Sequence, residues 1–240
     1  MAFAQAAAQD AQGTEIAARL SKIHRAWGPA ANSPGASLSL VELSRSGPII
    51  KYRLYAKGLP REKTYALLSW PVTQAAPSEN LQGVTLDESG QAICAGKPGT
   101  CGSAEKPDDP IDLATSPVKG EPFRIGLVST EDKSLRAFAK IVPLPNQGAD
   151  KGCVIDAVLL MPAGEIVEIE GAGFQPGETL QMESHSGKER HGGKGKAEPD
   201  GTVAITLLPY VKGGQRGTTH VQLKAAKCSP ELDFDWGKRP

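Results

Sequence analysis

Glycine and proline punctuate this chain so often that long helices have nowhere to form. Its 240 residues include 27 glycines and 19 prolines, about a fifth of the chain against a typical combined share of roughly 12%. Between these breaks the apolar residues alternate. Ile50, Tyr52, Leu54 and Ala56 are interleaved with Lys51 and Arg53, the period-two signature of a strand with one buried face. Tyr65–Trp70, Gly83–Leu86, Phe123–Ser129 and Leu135–Val142 read the same way. So do Val154–Leu160, Ile166–Glu170, Thr179–Glu183, Thr202–Leu208 and Thr219–Ala225. In the last of these, Val221, Leu223 and Ala225 are expected inward and His220, Gln222 and Lys224 outward. Leu232–Gly237 alternates apolar and acidic residues and reads as a closing edge strand. Short strands with turn signals about every 8–12 residues predict antiparallel sandwiches.

One helix interrupts this pattern. Over 14–27, Ile16, Leu20, Ile23 and Trp27 fall on a single helical stripe, and Gly28-Pro29 stops it. The stripe predicts a helix that packs on the domain following it. The chain therefore divides into 1–34, a processed or flexible N-terminus carrying the helix, then β-domains at 35–147 and 151–240. Pro143-Leu144-Pro145-Asn146-Gln147-Gly148 marks the boundary between them. The polar stretch 96–112 reads as a long surface loop.

Charge and cysteine usage bound the setting. Lys+Arg and Asp+Glu each number 27, giving zero formal charge. That balance argues against a general nucleic-acid binder, which carries a basic excess. No apolar run reaches the ~18–20 residues of a membrane-spanning helix. Met1-Ala2-Phe3-Ala4-Gln5-Ala6-Ala7-Ala8 resembles the small-x-small end of a secretory signal. Four cysteines allow three pairings, and sequence spacing favours Cys94–Cys101 and Cys153–Cys228. Two such disulfides imply an oxidising, extracytoplasmic location, periplasmic or secreted.

The run Val167-Glu168-Ile169-Glu170-Gly171-Ala172-Gly173-Phe174-Gln175-Pro176-Gly177-Glu178, followed by the Asp200-Gly201 turn, resembles bacterial extracytoplasmic immunoglobulin-like domains of the IPT/TIG kind. Those domains carry a Gly-x-Gly-Phe-x-Pro-Gly-Glu segment early in the sandwich. The resemblance covers about the last 85 residues, and its motif describes a turn. It implies a spacer or binding module and carries no catalytic residues. The 35–147 region is similar by pattern only. The expected fold is all-β: two tandem immunoglobulin-like antiparallel β-sandwiches with one short N-terminal helix.

Chemical signatures are sparse. There is no Gly-x-Ser-x-Gly elbow, His-Glu-x-x-His or phosphate loop. Gly171-Ala172-Gly173 leads into Pro176 and a strand, so no helix N-terminus is available for a dinucleotide pyrophosphate. Polar side chains concentrate between 183 and 196. Glu183, His185, Lys188, Arg190, His191 and Lys194 make this the candidate ligand-contact hairpin. Two imidazoles and a carboxylate could meet there as zinc ligands, cations and exposed glycine backbone could take an anion, or the charges could keep an edge strand soluble. The last reading is the simplest, so no metal, cofactor or catalytic residue is assigned. Asp108-Asp109-Pro110-Ile111-Asp112 would suit calcium or a plain acidic turn. Tyr52, Tyr55, Tyr65 and Trp70 could form a sugar platform, with Tyr55 facing outward.

The sequence thus predicts a non-enzymatic binding or structural module whose partner is another envelope protein or a glycan. A carbohydrate- or anion-binding accessory domain is the alternative. A hydrolase assembled from distant residues is a further one.

Overall fold

The computed structural model describes residues 14–22, 25, 27–95, 101, 109–211 and 213–237. The chain forms two compact units: 24–118 with 122–143, and 144–240 with 1–23 and 119–121.

The first unit contains β1 (Ser37–Ser46), β2 (Ile49–Lys57), β3 (Tyr65–Ser69), β4 (Ser78–Leu86), β5 (Ala92–Cys94), β6 (Asp112–Thr115), β7 (Phe123–Ser129) and β8 (Arg136–Ile141). They form two antiparallel sheets in the orders β1-β2-β6 and β5-β4-β3-β7-β8. This is the A-B-E and C″-C′-C-F-G arrangement of an immunoglobulin-like sandwich. The alternation in β2 is realised: Ile50, Tyr52, Leu54 and Ala56 are all buried. Leu54 and Ala56 share a core with Tyr65, Leu67, Val84, Ile111, Ile125 and Leu127. Tyr65 is sealed within it, and its hydroxyl donates to Pro60 O at 2.6 Å. Desolvation pushes the Tyr65 phenol up to about 12.

Cys94 and Cys101 lie in this unit, and the disulfide expected between them is not formed. Both are buried thiols flanking β4. The Cys101 amide donates to Gln82 O at 2.9 Å, and its Sγ to Gly83 O at 3.3 Å. Six intervening residues permit approach, whereas a disulfide also needs aligned Cβ vectors. Cys101 has a left-handed backbone (φ 58), and its thiol is directed at a carbonyl instead.

The second unit contains β9 (Gln147–Asp150), β10 (Cys153–Leu159), β11 (Val167–Ala172), β12 (Thr179–Ser186), β13 (Glu189–Lys196), β14 (Val203–Leu207), β15 (Arg216–Lys224) and β16 (Glu231–Gly237). The sheets run β14-β11-β10-β9 and β13-β12-β15-β16. With β9 as an added edge, the orders are E-B-A and C′-C-F-G, again immunoglobulin-like. Ile155, Leu159, Ile169, Leu180, Val221, Leu223 and Phe234 fill the core. The segment read as a boundary contributes Gln147 and Gly148 to β9. Residues 119–121 also join this unit: Gly120 N donates to Leu144 O and Leu159 N to Gly120 O.

The Cys153–Cys228 disulfide is present, with Cα atoms 6.2 Å apart. It ties the start of β10 to the β15–β16 turn. The glycine-rich motif is structural. Gly173 (φ +88) lies where a Cβ would come within 2.3 Å of Gly152 O, and Gly201 (φ +78) would meet Phe174 O at 2.5 Å. Phe174 itself is buried between these turns.

The helix occupies 14–22, with Arg25 also helical, and it packs within the second unit. Its buried stripe is only partly the expected one: Leu20 packs against the Leu160–Ile166 cluster, but Ile16 does not. Ile16 is 37% exposed, while Ala17 packs on Leu160 and Ile166. Ser21 donates to the buried Glu168 carboxylate at 2.5 Å. Satisfying that carboxylate turns Ala17 and Ser21 inward in place of Ile16. Trp27 belongs to the first unit, where it packs on Trp70 (centroids 5.6 Å) and Phe138 (4.6 Å). Ile23 and residues 1–13, with the signal-like segment, lie outside the described residues.

Candidate functional site: the open face of the second sandwich

Residues 183–196 form the β12–β13 hairpin, turning at Gly187-Lys188. In β12, Leu180, Met182, Ser184 and Ser186 are buried while Gln181, Glu183 and His185 face solvent. Antiparallel register carries this alternation across the sheet. Gln181 stands opposite Lys194, Glu183 opposite Gly192 and His185 opposite Arg190. His191 stands opposite Ser184, so its ring leaves the other side of the strand. There it approaches Glu189 (3.8 Å). The three-residue cluster of Glu183, His185 and His191 is therefore not assembled, because a one-residue offset places His191 on the opposite face.

His185 meets a different histidine. Strand β15 lies beside β12, with His185 opposite His220 and Glu183 opposite Gln222. Strand β16 then sets Asp233 opposite His220 and Glu231 opposite Gln222. A row Arg190–His185–His220–Asp233 thus crosses all four strands. The two imidazole centroids are 4.8 Å apart. His220 Nδ1 is 2.9 Å from Asp233 Oδ1. An ionised carboxylate only accepts, so this contact puts the proton on Nδ1. In neighbouring rows Lys224 Nζ pairs with Glu183 Oε1 at 2.7 Å, and the Thr218 hydroxyl donates to Asp235 at 2.7 Å. The Lys224 ammonium holds the Glu183 carboxyl below the usual glutamate range.

The face is electrically graded. Arg190, Lys194 and Lys196 make the β13 edge positive, whereas Glu231, Asp233 and Asp235 make β16 negative. Histidines and the Glu183–Lys224 pair lie between. A nucleophile activated by the His220–Asp233 pair would have to sit at His220 Nε2. That nitrogen faces Glu231 at 3.8 Å instead. Among the described residues, no group of three or more His, Cys, Asp or Glu side chains is placed to hold a metal ion.

The other candidate groups are used structurally. Asp112 forms a bidentate pair with Arg53 at 2.8 and 3.0 Å. Ile111 is buried, and Asp109 O accepts from Cys94 N at 3.2 Å. Asp108 lies outside the described residues. Of the four aromatics, Tyr52, Tyr65 and Trp70 are buried. Tyr55 is half-buried, its hydroxyl donating to Gln91 at 3.1 Å. No flat aromatic platform results.

Sequence reasoning placed His220 outward and marked β16 as alternating apolar and acidic. It did not bring either to His185, because β12 and β15 become neighbours only through the crossing connection of the sandwich.

No family model matches this chain, and no curated protein matches it. Among solved structures it aligns with a chain described as "Structural basis of neurohormone perception by the receptor tyrosine kinase Torso". That alignment covers 94% of this chain and 88% of the other, at 8% identity and a TM-score of 0.23. A likeness at this level carries no argument. No helix among the described residues is long and apolar enough to cross a membrane.

Proposed function

We propose that this chain is a non-enzymatic, extracytoplasmic binding module, of bacterial envelope type, that meets a protein partner through the outer face of the β13-β12-β15-β16 sheet. The observation that carries this reading is the four-strand row Arg190–His185–His220–Asp233. Its polar side chains are aligned by register across one open sheet face, with His185 against His220 and His220 bonded to Asp233. Complementary charge on such a face steers encounter and fixes orientation. A buried His/acid pair in a closed cleft would point to catalysis; here the pair lies on a sheet surface. The Cys153–Cys228 bond supports an oxidising location.

The test is photo-cross-linking in the native envelope, with a reactive amino acid at Gln222 on the open face or at Ser39 on the first unit. Adducts with a discrete protein from Gln222, absent from Ser39, are expected. Equal labelling from both positions, or none from Gln222, overturns the reading.

A further inference from the structure

The geometry points to β13 as the docking edge for an extended acidic peptide segment of a protein partner, added antiparallel to the sheet as a fifth strand. This rests on the binding-module reading above and names the partner's chemistry.

The first argument is the state of the two sheet edges. Strand β13 ends the sheet, and no strand among the described residues pairs with its far side. Residues 190–194 are all exposed. An edge of this kind offers a row of main-chain donors and acceptors to another strand. The opposite edge is occupied at both ends. A Cβ on Gly148 would fall 1.8 Å from Glu231 O, and Gly237 N donates to Ala163 O at 2.6 Å. Only β13 is open.

The second argument is glycine that the fold does not require. Gly195 is explained by packing, since an added Cβ would lie 2.7 Å from Ile205 Cδ1. Gly192 and Gly193 have no such reason. Neither has a left-handed φ, and the nearest atoms to an added Cβ are Met182 O at 3.9 Å and Met182 Cε at 3.6 Å. Glycine inside a strand costs roughly 0.5–1 kcal/mol relative to alanine. Bare backbone here lets a bulky partner side chain lie across the strand, as an aromatic does opposite an edge glycine.

The third argument is the spacing of charge. Arg190, Gly192, Lys194 and Lys196 share the outer side of β13, so Arg190 and Lys194 flank the bare position. Side chains on one side of a strand repeat every two residues, about 6.8 Å. An antiparallel partner strand has the same repeat, so carboxylates on alternate residues meet the cations directly. A second copy pairing through its own β13 would set Arg190, Lys194 and Lys196 against like charges. A polyanionic glycan has no peptide backbone to satisfy the edge.

The test is selection of ten-residue peptides from a random display library on the oxidised full chain, counter-selected against the Arg190→Glu/Lys194→Glu protein. Enriched peptides are expected to carry acids at alternate positions around a central aromatic. N-methylation of the amides on the β13-facing side of a selected peptide should weaken binding at least tenfold, and methylation of the other set should not. Gly192→Thr separates binding from folding: it should raise Tm by about 2–4 °C and weaken peptide binding at least tenfold. Indifference to N-methylation, or equal competition by polyglutamate of the same charge, overturns strand addition in favour of diffuse electrostatics. Failure to enrich any peptide also overturns it. In that case Gln222 cross-links still decide the module reading separately.

Discussion

The two sandwiches share a strand order, yet they treat the outer face of the C-F-G sheet in opposite ways. In the first unit Trp27 covers that face, packed on Trp70 and Phe138, with the Arg124 guanidinium 5.4 Å from the Trp70 ring. Gly126 is held to glycine there, since a Cβ would strike Phe138 Cδ1 at 2.4 Å. In the second unit the equivalent face is left to water and lined by His185, His220, Asp233 and the Glu183–Lys224 pair. The comparison separates what the architecture needs from what it leaves available. A face sealed by aromatics adds stability, and a face lined by paired polar groups adds little stability and is free to recognise.

The staples differ as well. The second unit is closed by Cys153–Cys228 over 75 residues of sequence, whereas Cys94 and Cys101 in the first are thiols. Reduction should therefore act on one unit only. Loss of the disulfide, by dithiothreitol or Cys228→Ser, should cost about 4 kcal/mol in the chain-entropy model. Native-state hydrogen exchange should show this in β10 and β15 with β3 and β7 unmoved; equal loss in both units would break the comparison.

Next in size is Trp27→Ala, expected to cost about 3 kcal/mol through the cavity it leaves among Trp70, Phe138 and Gly126. Its effect should appear in the amides of β7 and β8.

A third effect is specific to pH. The Tyr65 phenol stays neutral in the folded state to about 12, while in the unfolded chain it ionises near 10. Between those values the unfolded state loses a proton that the folded state keeps, so stability falls as pH rises through this window. Tyr65→Phe should flatten that fall and, at neutral pH, lose only the bond to Pro60 O.

On the open face the expected changes are smallest. Asp233→Asn and His220→Gln should each shift stability by less than about 1 kcal/mol, as exposed pairs do. Lys224→Ala should return the Glu183 carboxyl upward toward its ordinary 4.5, measurable by NMR titration. A large loss of stability in any of these three would mean that the face is structural after all.

Particular residues show how far the sequence reached. In β2 every inward position was legible, because an apolar residue recurs at every second place over a run long enough to leave no other phase. β5, β6 and β9 are too short to show a period, and in β1 the alternation of Leu38 and Leu40 loses phase at Val41 and Leu43, next to a bulge. Ala92–Cys94 and Gln147–Asp150 are held by backbone pairing to neighbours, not by their own pattern. The helix was legible as a helix, but of its buried side only Leu20 was. Ile16 is the more apolar side chain, yet Ser21 faces inward to meet Glu168, which lies 147 residues away. The hairpin 183–196 was legible with its cations. Whether His191 meets Glu183 and His185 was left open by the sequence, since only register reveals that it stands opposite Ser184.

Alternation and turn chemistry are local properties, and by themselves they determined the all-β class and the outward position of His220. Which outward side chains become neighbours is a property of strand order. That order depends on connections crossing between sheets, and the free energy deciding it comes from burying both inner faces together. The row Arg190–His185–His220–Asp233 draws on four strands and spans 49 residues of sequence, from His185 to Asp233, so only the tertiary structure could write it.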